Sequence, residues 1–489
     1  ISELNKKEYY KTKRNLQFAV SLPGAPILLS IVKSLAIACN HEELIDYLMT
    51  ITKKYGTLSR LVLGTDVFVV LTKPEDYKLV LTNVNGNNKT SVTKQWYPLL
   101  GNGIIRASGT THRLRRKIIQ PFLNIKYLTD YVTFFDNYSH NCADLLEKEI
   151  GGHIFDIKPY MAQYAADIFL ASIAGIQGTA HKGEYNEILY WQDRLIKCVW
   201  KTIIKPWQQI EWIFCLSDNK KKMCTAQKTV QDFIYNIAMQ KKTMECNGLN
   251  YDSEYFEKSV IGNYSSHMKQ LFDDETNKSC AVSDEDFIDD VRSLYIAIQN
   301  TIMEMTSMTL LMLGMHVEIQ EKLRKEILTI FGNDNLDVKR LMTIRYLHMV
   351  IQETLRLFPA SPIISRQLTG DIQLESCVLP DGCLVMIPIF AIHRNPMYWD
   401  KPEEFIPERF SSENSSTRHR YTYIPFGTGP RDCLGQRYTF LSVGAAIVNL
   451  LRRFRFVATG SVKDVKLTND ILLRSRDGIK LSVFRLEDH

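Results

Sequence analysis

The segment Phe426-Gly427-Thr428-Gly429-Pro430-Arg431-Asp432-Cys433-Leu434-Gly435 constrains this 489-residue chain more than any other. Its glycines, Gly427, Gly429 and Gly435, admit positive φ and leave room for a flat ligand to approach closely. A helix is predicted just after Cys433, so its N-terminal amides favour a thiolate there, and Arg431 adds positive charge two residues away. A cysteine so placed is a candidate metal ligand. For an arbitrary cysteine, a buried structural thiol in a glycine-rich turn is the commoner case.

The surrounding periodicity is mostly helical. Ser283-Asp284-Glu285-Asp286 reads as a capping box with Asp in place of the usual Glu or Gln, opening a long helix from Glu285 to about Gly314. Further helices are predicted over Val317–Phe331, stopped by Gly332, over Tyr346–Leu357 before Pro359, and over Gln436–Arg453. Strand-rich runs at Thr57–Leu63 and Asp66–Leu71 form a hairpin signal, and Pro74 opens a helix after them. Short β-like runs recur between Ile363 and Ile392, and Asp477-Gly478 predicts a hairpin turn inside Ile471–Leu486. Lys220–Lys222 and Ser411–Ser416 read as solvated loops. No repeat and no Gly/Ser-rich linker is visible. The expectation is a single mainly-α domain over residues 1–489, with small β-sheets near the N-terminus and in the C-terminal third.

Hydrophobic residues make up 45% and charged residues 23%, near the globular averages, which excludes a disordered chain, a collagen and a many-span membrane protein. Sixty Lys and Arg against 54 Asp and Glu leave +6, too mild to argue for nucleic acid. Ten cysteines without a Cys-x-x-Cys pair point to a reducing compartment. No stretch reaches the ~20 apolar residues of a spanning helix. Ile27–Cys39 comes nearest and carries Lys33. Residue 1 is Ile, and a membrane anchor is expected upstream of it.

The cysteine loop resembles the haem-binding loop of the cytochrome P450 superfamily, Phe-x-x-Gly-x-Arg-x-Cys-x-Gly, with Phe426, Gly429, Arg431, Cys433 and Gly435 in place. The resemblance runs along nearly the whole chain. It implies haem b with Cys433 as axial thiolate, which pushes electron density onto the iron. Glu353-Thr354-Leu355-Arg356 and Pro407-Glu408-Arg409-Phe410 match the family's buried network of Glu353, Arg356 and Arg409. By the same resemblance Arg366, Arg431, Arg116 and His112 hold the haem propionates, His112 standing where tryptophan is usual.

The family's oxygen-activating motif, Ala/Gly-Gly-x-Asp/Glu-Thr, aligns with Ala297-Ile298-Gln299-Asn300-Thr301. Thr301 is retained, while Ile298 replaces a glycine and Asn300 an acid. Helical spacing puts 297, 300, 301, 304 and 308 on one face, so Thr301, Asn300 and Glu304 are the expected catalytic residues. Lys205-Pro206-Trp207, Trp212-Ile213-Phe214 and His393-Arg394-Asn395-Pro396 resemble the animal microsomal family-four branch, insect-like. Some members attach haem covalently through a glutamate where Ala297 stands, so non-covalent haem is expected. The loop Trp96–Ile105 and the stretch Trp191–Phe214 are expected to set substrate selectivity.

The resemblance implies a monooxygenase that inserts one atom of O₂ into a small apolar substrate. Electrons come from NADPH through NADPH–cytochrome reductase or a cytochrome b-type donor, at the membrane surface on the cytosolic face of the endoplasmic reticulum. Two other readings stay open at this point: an O₂-independent isomerase or dehydratase on the same fold, and a non-catalytic haem protein that binds apolar ligands.

Overall fold

The computed structural model describes residues 3–247, 253–264 and 283–486. Cys246 and Cys280 are not among the described side chains.

The helices named below are α1 (Ile27–Cys39), α2 (Pro74–Thr82), α3 (Gly109–Ile119), α4 (Ile125–Leu146), α5 (Lys158–Phe169), α6 (Asn186–Ile204), α7 (Glu211–Leu216), α8 (Asp218–Asn247), α9 (Asp284–Met315), α10 (Val317–Phe331), α11 (Arg345–Leu357) and α12 (Gln436–Arg453); further helices span Glu3–Ser21 and Leu44–Tyr55, with shorter turns elsewhere. Helix α9 is the axis. It is buried almost all round from Asp289 to Gly314 and packs against α5, α8, α11 and α12. That burial explains why it is apolar on several faces. The predicted capping box is present: the Asp286 amide donates to Ser283 Oγ at 3.1 Å, and the Ser283 amide to Asp286 Oδ2 at 3.4 Å. Lys220–Lys222 lie on α8 rather than in a loop, and Ser412–Ser416 form an exposed helical turn.

The strands are β1 (Leu58–Leu63), β2 (Asp66–Leu71), β3 (Phe155–Asp156), β4 (Ile364–Gln367), β5 (Ile372–Gln373), β6 (Val378–Leu379), β7 (Leu384–Ile387), β8 (Phe454–Val457), β9 (Leu467–Asp470), β10 (Leu472–Ser475) and β11 (Lys480–Arg485). The predicted β1–β2 hairpin forms and extends into a four-stranded sheet of order β1-β2-β7-β4. The turn at Asp477-Gly478 is present, but it closes no hairpin. Strand β10 pairs back with β9, and β11 pairs with β8 and β3. Asp156 is the cause. Its Oδ1 accepts the Ile479 amide at 3.0 Å, and a Cβ on Gly478 would lie 2.5 Å from its Oδ2. The turn is thus docked on β3, and β11 is drawn away from β10. The hairpin is β9–β10, with Ile471 at its tip in the left-handed region, φ 72°.

The cysteine loop is braced from behind. Glu353 and Arg356 are fully buried on α11 and pair at 2.7 and 2.8 Å. Glu353 Oε1 also accepts the Ile406 amide at 2.9 Å and Arg409 Nε at 3.2 Å. Arg356 donates to the carbonyls of His393, Pro402 and Glu404, and Arg409 to that of Lys401. His393 Nε2 in turn accepts the Ile424 amide at 3.0 Å, two residues before Phe426. Removing the Glu353 carboxylate strands two buried guanidinium groups, so Glu353→Ala is expected to lower stability by ~3–5 kcal/mol. Denaturant unfolding checks this, and faster alkylation of Cys433 in the same variant would show that its loop has loosened.

Candidate functional site

Between α9, the four-stranded sheet and the start of α12 lies a largely apolar cavity of about 450 Å³. It is lined by Ala297, Ile298 and Thr301 of α9, Ile363 and Ile364 beside the sheet, and Phe426, Cys433 and Leu434 of the cysteine loop. The Cys433 amide donates to Phe426 O at 2.9 Å, and Asp432 N to Gly429 O at 3.0 Å, which turns the thiol inward. Gly429 has φ 79° and lies against α2, where a Cβ would sit 2.2 Å from the Leu81 carbonyl oxygen. Protein encloses Cys433, yet it keeps accessible surface, because that surface belongs to the cavity. Burial pushes the thiol up from its ordinary range, while the Gly435 backbone and Arg116 pull it back. A bound metal cation would favour the thiolate.

One end of the cavity is strongly basic. His112, Arg366, Arg431 and Lys89 line it. Arg366 Nε and Arg431 Nη1 are buried without a hydrogen-bond partner. Burial lowers both guanidinium groups to about 10, and repulsion from Arg366 and then from Arg116 adds to the effect at Arg431. His112 is lowered to about 3, by burial and then by Arg431, Arg116, Lys89 and Arg366. Arg116 itself is turned outward. It pairs with Asp432 Oδ1 at 2.5 Å and donates to Pro430 O at 3.0 Å, so it braces the cysteine loop and does not border the cavity.

Helix α9 does not present the expected face. Thr301 borders the cavity with Leu294, Ala297, Ile298 and Ile302. Asn300 and Glu304 do not. At 100° per residue the cavity face is centred roughly 60° from the one that spacing suggested. Asn300 Oδ1 accepts Arg474 Nη2 at 2.6 Å, and its amide donates to Ile296 O at 2.9 Å. Glu304 Oε1 pairs with Lys158 Nζ at 2.6 Å and stands 3.8 Å from Arg474 Nε. Arg474 Nη1 also meets Asp193 at 2.7 Å. Asn300, Lys158, Asp193 and Arg474 border a second, polar cavity of about 530 Å³ on the far side of α9. In the stretches expected to set selectivity, Trp96, Ile104, Ile105, Trp200, Ile203 and Gln209 reach the apolar cavity, whereas Trp191 and Phe214 do not line it.

The family model for cytochrome P450 matches residues 22–483. The chain belongs to the cytochrome P450 family. Cytochrome P450 4c3 of Drosophila melanogaster is 28% identical over 486 residues, 97% of this chain and 91% of its own length. Cytochrome P450 4c21 of Blattella germanica is 28% identical over 467 residues, 94% and 92% of the two chains. Human cytochrome P450 4V2 is 28% identical over 451 residues, covering 91% and 85%. The family-four, insect-like resemblance is thereby borne out.

As a cytochrome P450 the chain is a haem-thiolate monooxygenase, an oxidoreductase binding haem b through a cysteine thiolate. Family membership implies O₂, an organic substrate and a redox partner. The cavity of this cytochrome P450 fits the group: an apolar slot, a thiol on its wall, and buried N–H donors with no partner at one end.

Sequence reasoning missed Lys89, Lys158 and Arg474. Lys89 sits in a polar stretch that no motif marks, and the other two join Asn300 and Glu304 only through the tertiary fold. Because Asn300 faces Arg474, Asn300→Asp is expected to form an ion pair there and to change the product-to-peroxide ratio less than twofold. That is far short of the ~10²–10⁴-fold a positioned general acid contributes. Product and peroxide assays on the reconstituted variant check it.

Proposed function

We propose that this monooxygenase hydroxylates an apolar substrate with electrons from NADPH, delivered by NADPH–cytochrome reductase with a cytochrome b-type donor in support, at the cytosolic face of the endoplasmic reticulum membrane. The whole chain acts as one catalytic domain. Cys433 ligates the iron, Phe426 packs beside it, and His112, Arg366 and Arg431 hold the propionates. Arg116 acts one step back by fixing Asp432. Bound haem supplies the activation of O₂, favoured by thiolate donation.

The observation that carries this reading is Thr301. Its hydroxyl stands beside Ala297, Ile298 and Ile302 of α9, in the cavity that Cys433 borders. There it orients a water and holds a proton within reach of the reacting oxygen. Ala297 offers no carboxylate for covalent haem attachment, and Ile298 narrows the space beside Thr301. Arg113, Lys117 and Arg437 are exposed around the Arg116–Asp432 pair, a basic surface that suits an acidic redox partner. Reconstitution with reductase and NADPH tests the reading. Cys433→Ala is expected to abolish the thiolate signature of the reduced carbon monoxide complex. Thr301→Val is expected to keep that signature while the share of NADPH lost to peroxide rises several-fold. Turnover without NADPH, or a retained thiolate band in Cys433→Ala, would sink the proposal.

The membrane assignment rests on a reversed helix. In α1 the buried side chains are Ser30, Ser34, Ile37 and Ala38, while Leu28, Leu29, Ile31, Val32 and Leu35 are exposed. Helix α1 touches α6, which leads towards α7, where Trp212 and Leu216 are 67% and 82% exposed. None of the described helices is long and apolar enough to cross a bilayer. These side chains suit shallow insertion, and burying each large apolar side chain is worth ~1.5–3 kcal/mol. The double variant Leu28→Ser with Trp212→Ser is expected to weaken binding of this chain to phospholipid vesicles at least tenfold, as measured by flotation.

A further inference from the structure

Asp66 is an ionisable side chain that the haem chemistry leaves unused. It closes the two-residue turn of the β1–β2 hairpin, opposite Leu63, and borders the apolar cavity together with Gly64 and Thr65. The hairpin tip is held on two sides. The Gly64 amide donates to Ser34 Oγ of α1 at 2.7 Å, and a Cβ on Gly64 would lie 3.7 Å from Pro206 Cγ, in the link between α6 and α7. Gln209 of that link borders the same cavity and donates from Nε2 to Ile203 O at 3.3 Å. Thr65 and Gln209 are both exposed, so the cavity reaches the surface here.

The cations of the cavity lie elsewhere. Register runs from β2 through β7 to β4, with Val69 level with Val385 and Val385 with Arg366. Asp66 precedes Val69 by three residues, so it stands roughly 10 Å along the sheet from the Arg366 row and two strands across from it. Its carboxylate is half-buried, and among the described residues it has no hydrogen bond and no ion pair. Burial alone pushes it above the usual carboxylate range, with no cation to offset the effect. Asp432, the other carboxylate on the cavity wall, is taken by Arg116. A partly desolvated charge without a partner is costly, and a cation entering the cavity removes that cost.

We propose that Asp66 receives the cationic head of the substrate, a long-chain amine or ammonium compound that is apolar along the rest of its length. This inference rests on the monooxygenase reading and names the substrate class. The head stays at the hairpin tip, paired by charge, while the chain runs inward past Phe68 and Trp200 to the part of the cavity that Thr301 and Cys433 border. A carboxylate head would meet like charge at Asp66, and an uncharged head would leave Asp66 unanswered. Anchoring the head also fixes direction: oxygen is delivered to the chain, far from the nitrogen.

Probes of equal chain length test this on the haem-loaded protein: dodecyltrimethylammonium, 1-dodecanol and dodecanoate, each below its micelle concentration, with binding read by the Soret shift. The quaternary nitrogen has no lone pair to offer the iron, so its shift reports occupancy of the cavity. The parent is expected to bind the ammonium compound about tenfold more tightly than dodecanoate. Asp66→Asn, which suits the same turn, is expected to weaken the ammonium compound about tenfold, leave the alcohol within about twofold and tighten dodecanoate. Asp66→Glu is expected to keep most of the preference. Unchanged ammonium affinity in Asp66→Asn, or a parent that prefers dodecanoate, would overturn the proposal. An equal loss for every probe would also overturn it, since Asp66 would then only shape the hairpin. Absence of the thiolate band from the parent's reduced carbon monoxide complex would refute the haem-thiolate reading, whereas an intact band without ammonium preference refutes the substrate class alone.

Discussion

A single carboxylate holds the cavity floor from behind. Glu353 gathers two nitrogens of Arg356, the Ile406 amide and Arg409 Nε, and it has no exposure to solvent. Charges buried this deeply survive only when their lone pairs and N–H groups are all engaged. Arg356 meets that condition by reaching three backbone carbonyls of the irregular stretch between β7 and the cysteine loop. That stretch has almost no regular secondary structure to order it. Its path is set by the donors aimed at it, and through His393 and Ile424 the same bonds position Phe426 and Cys433.

Helix α9 separates two cavities of opposite chemistry. One side is apolar and carries Thr301. The other is polar, and there Arg474 and Lys158 are answered by Glu304 and Asp193. The amide at Asn300 belongs to that network. Its oxygen satisfies one Arg474 N–H in a cluster where Lys158 and Lys197 also pair with Glu304 and Asp193. The residue that looks like a defect in an oxygen-activating motif is thus a seam between the helix and the β9–β10 hairpin.

The same economy fails on α1. A helix that turns serines inward and leucines outward has no stabilising reason to do so in water, because exposed apolar area is what folding removes. The arrangement makes physical sense against an apolar phase. The mild +6 of the chain is compatible with an anionic surface beside it.

Much of the protein was legible in its residues. The Cys433 loop, the Ser283–Asp286 cap, the stop at Gly332 and the helix Gln436–Arg453 depend on interactions within a few positions, which is the range a sequence displays directly. The Glu353–Arg356 pair is local too, at i and i+3. What only the tertiary structure decided is direction. Spacing says that 297, 300, 301 and 304 lie near one another around α9, but not which azimuth meets the apolar cavity. Arg474 from β10 and Lys158 from α5 settle that by drawing Asn300 and Glu304 to their side. Asp477-Gly478 specifies a turn, but whether its flanking strands pair with each other depends on Asp156, more than 300 residues earlier. Lys89 carries no signal at all in its own segment. Its meaning comes from Arg366 and Arg431, which the fold brings to the same end of one cavity.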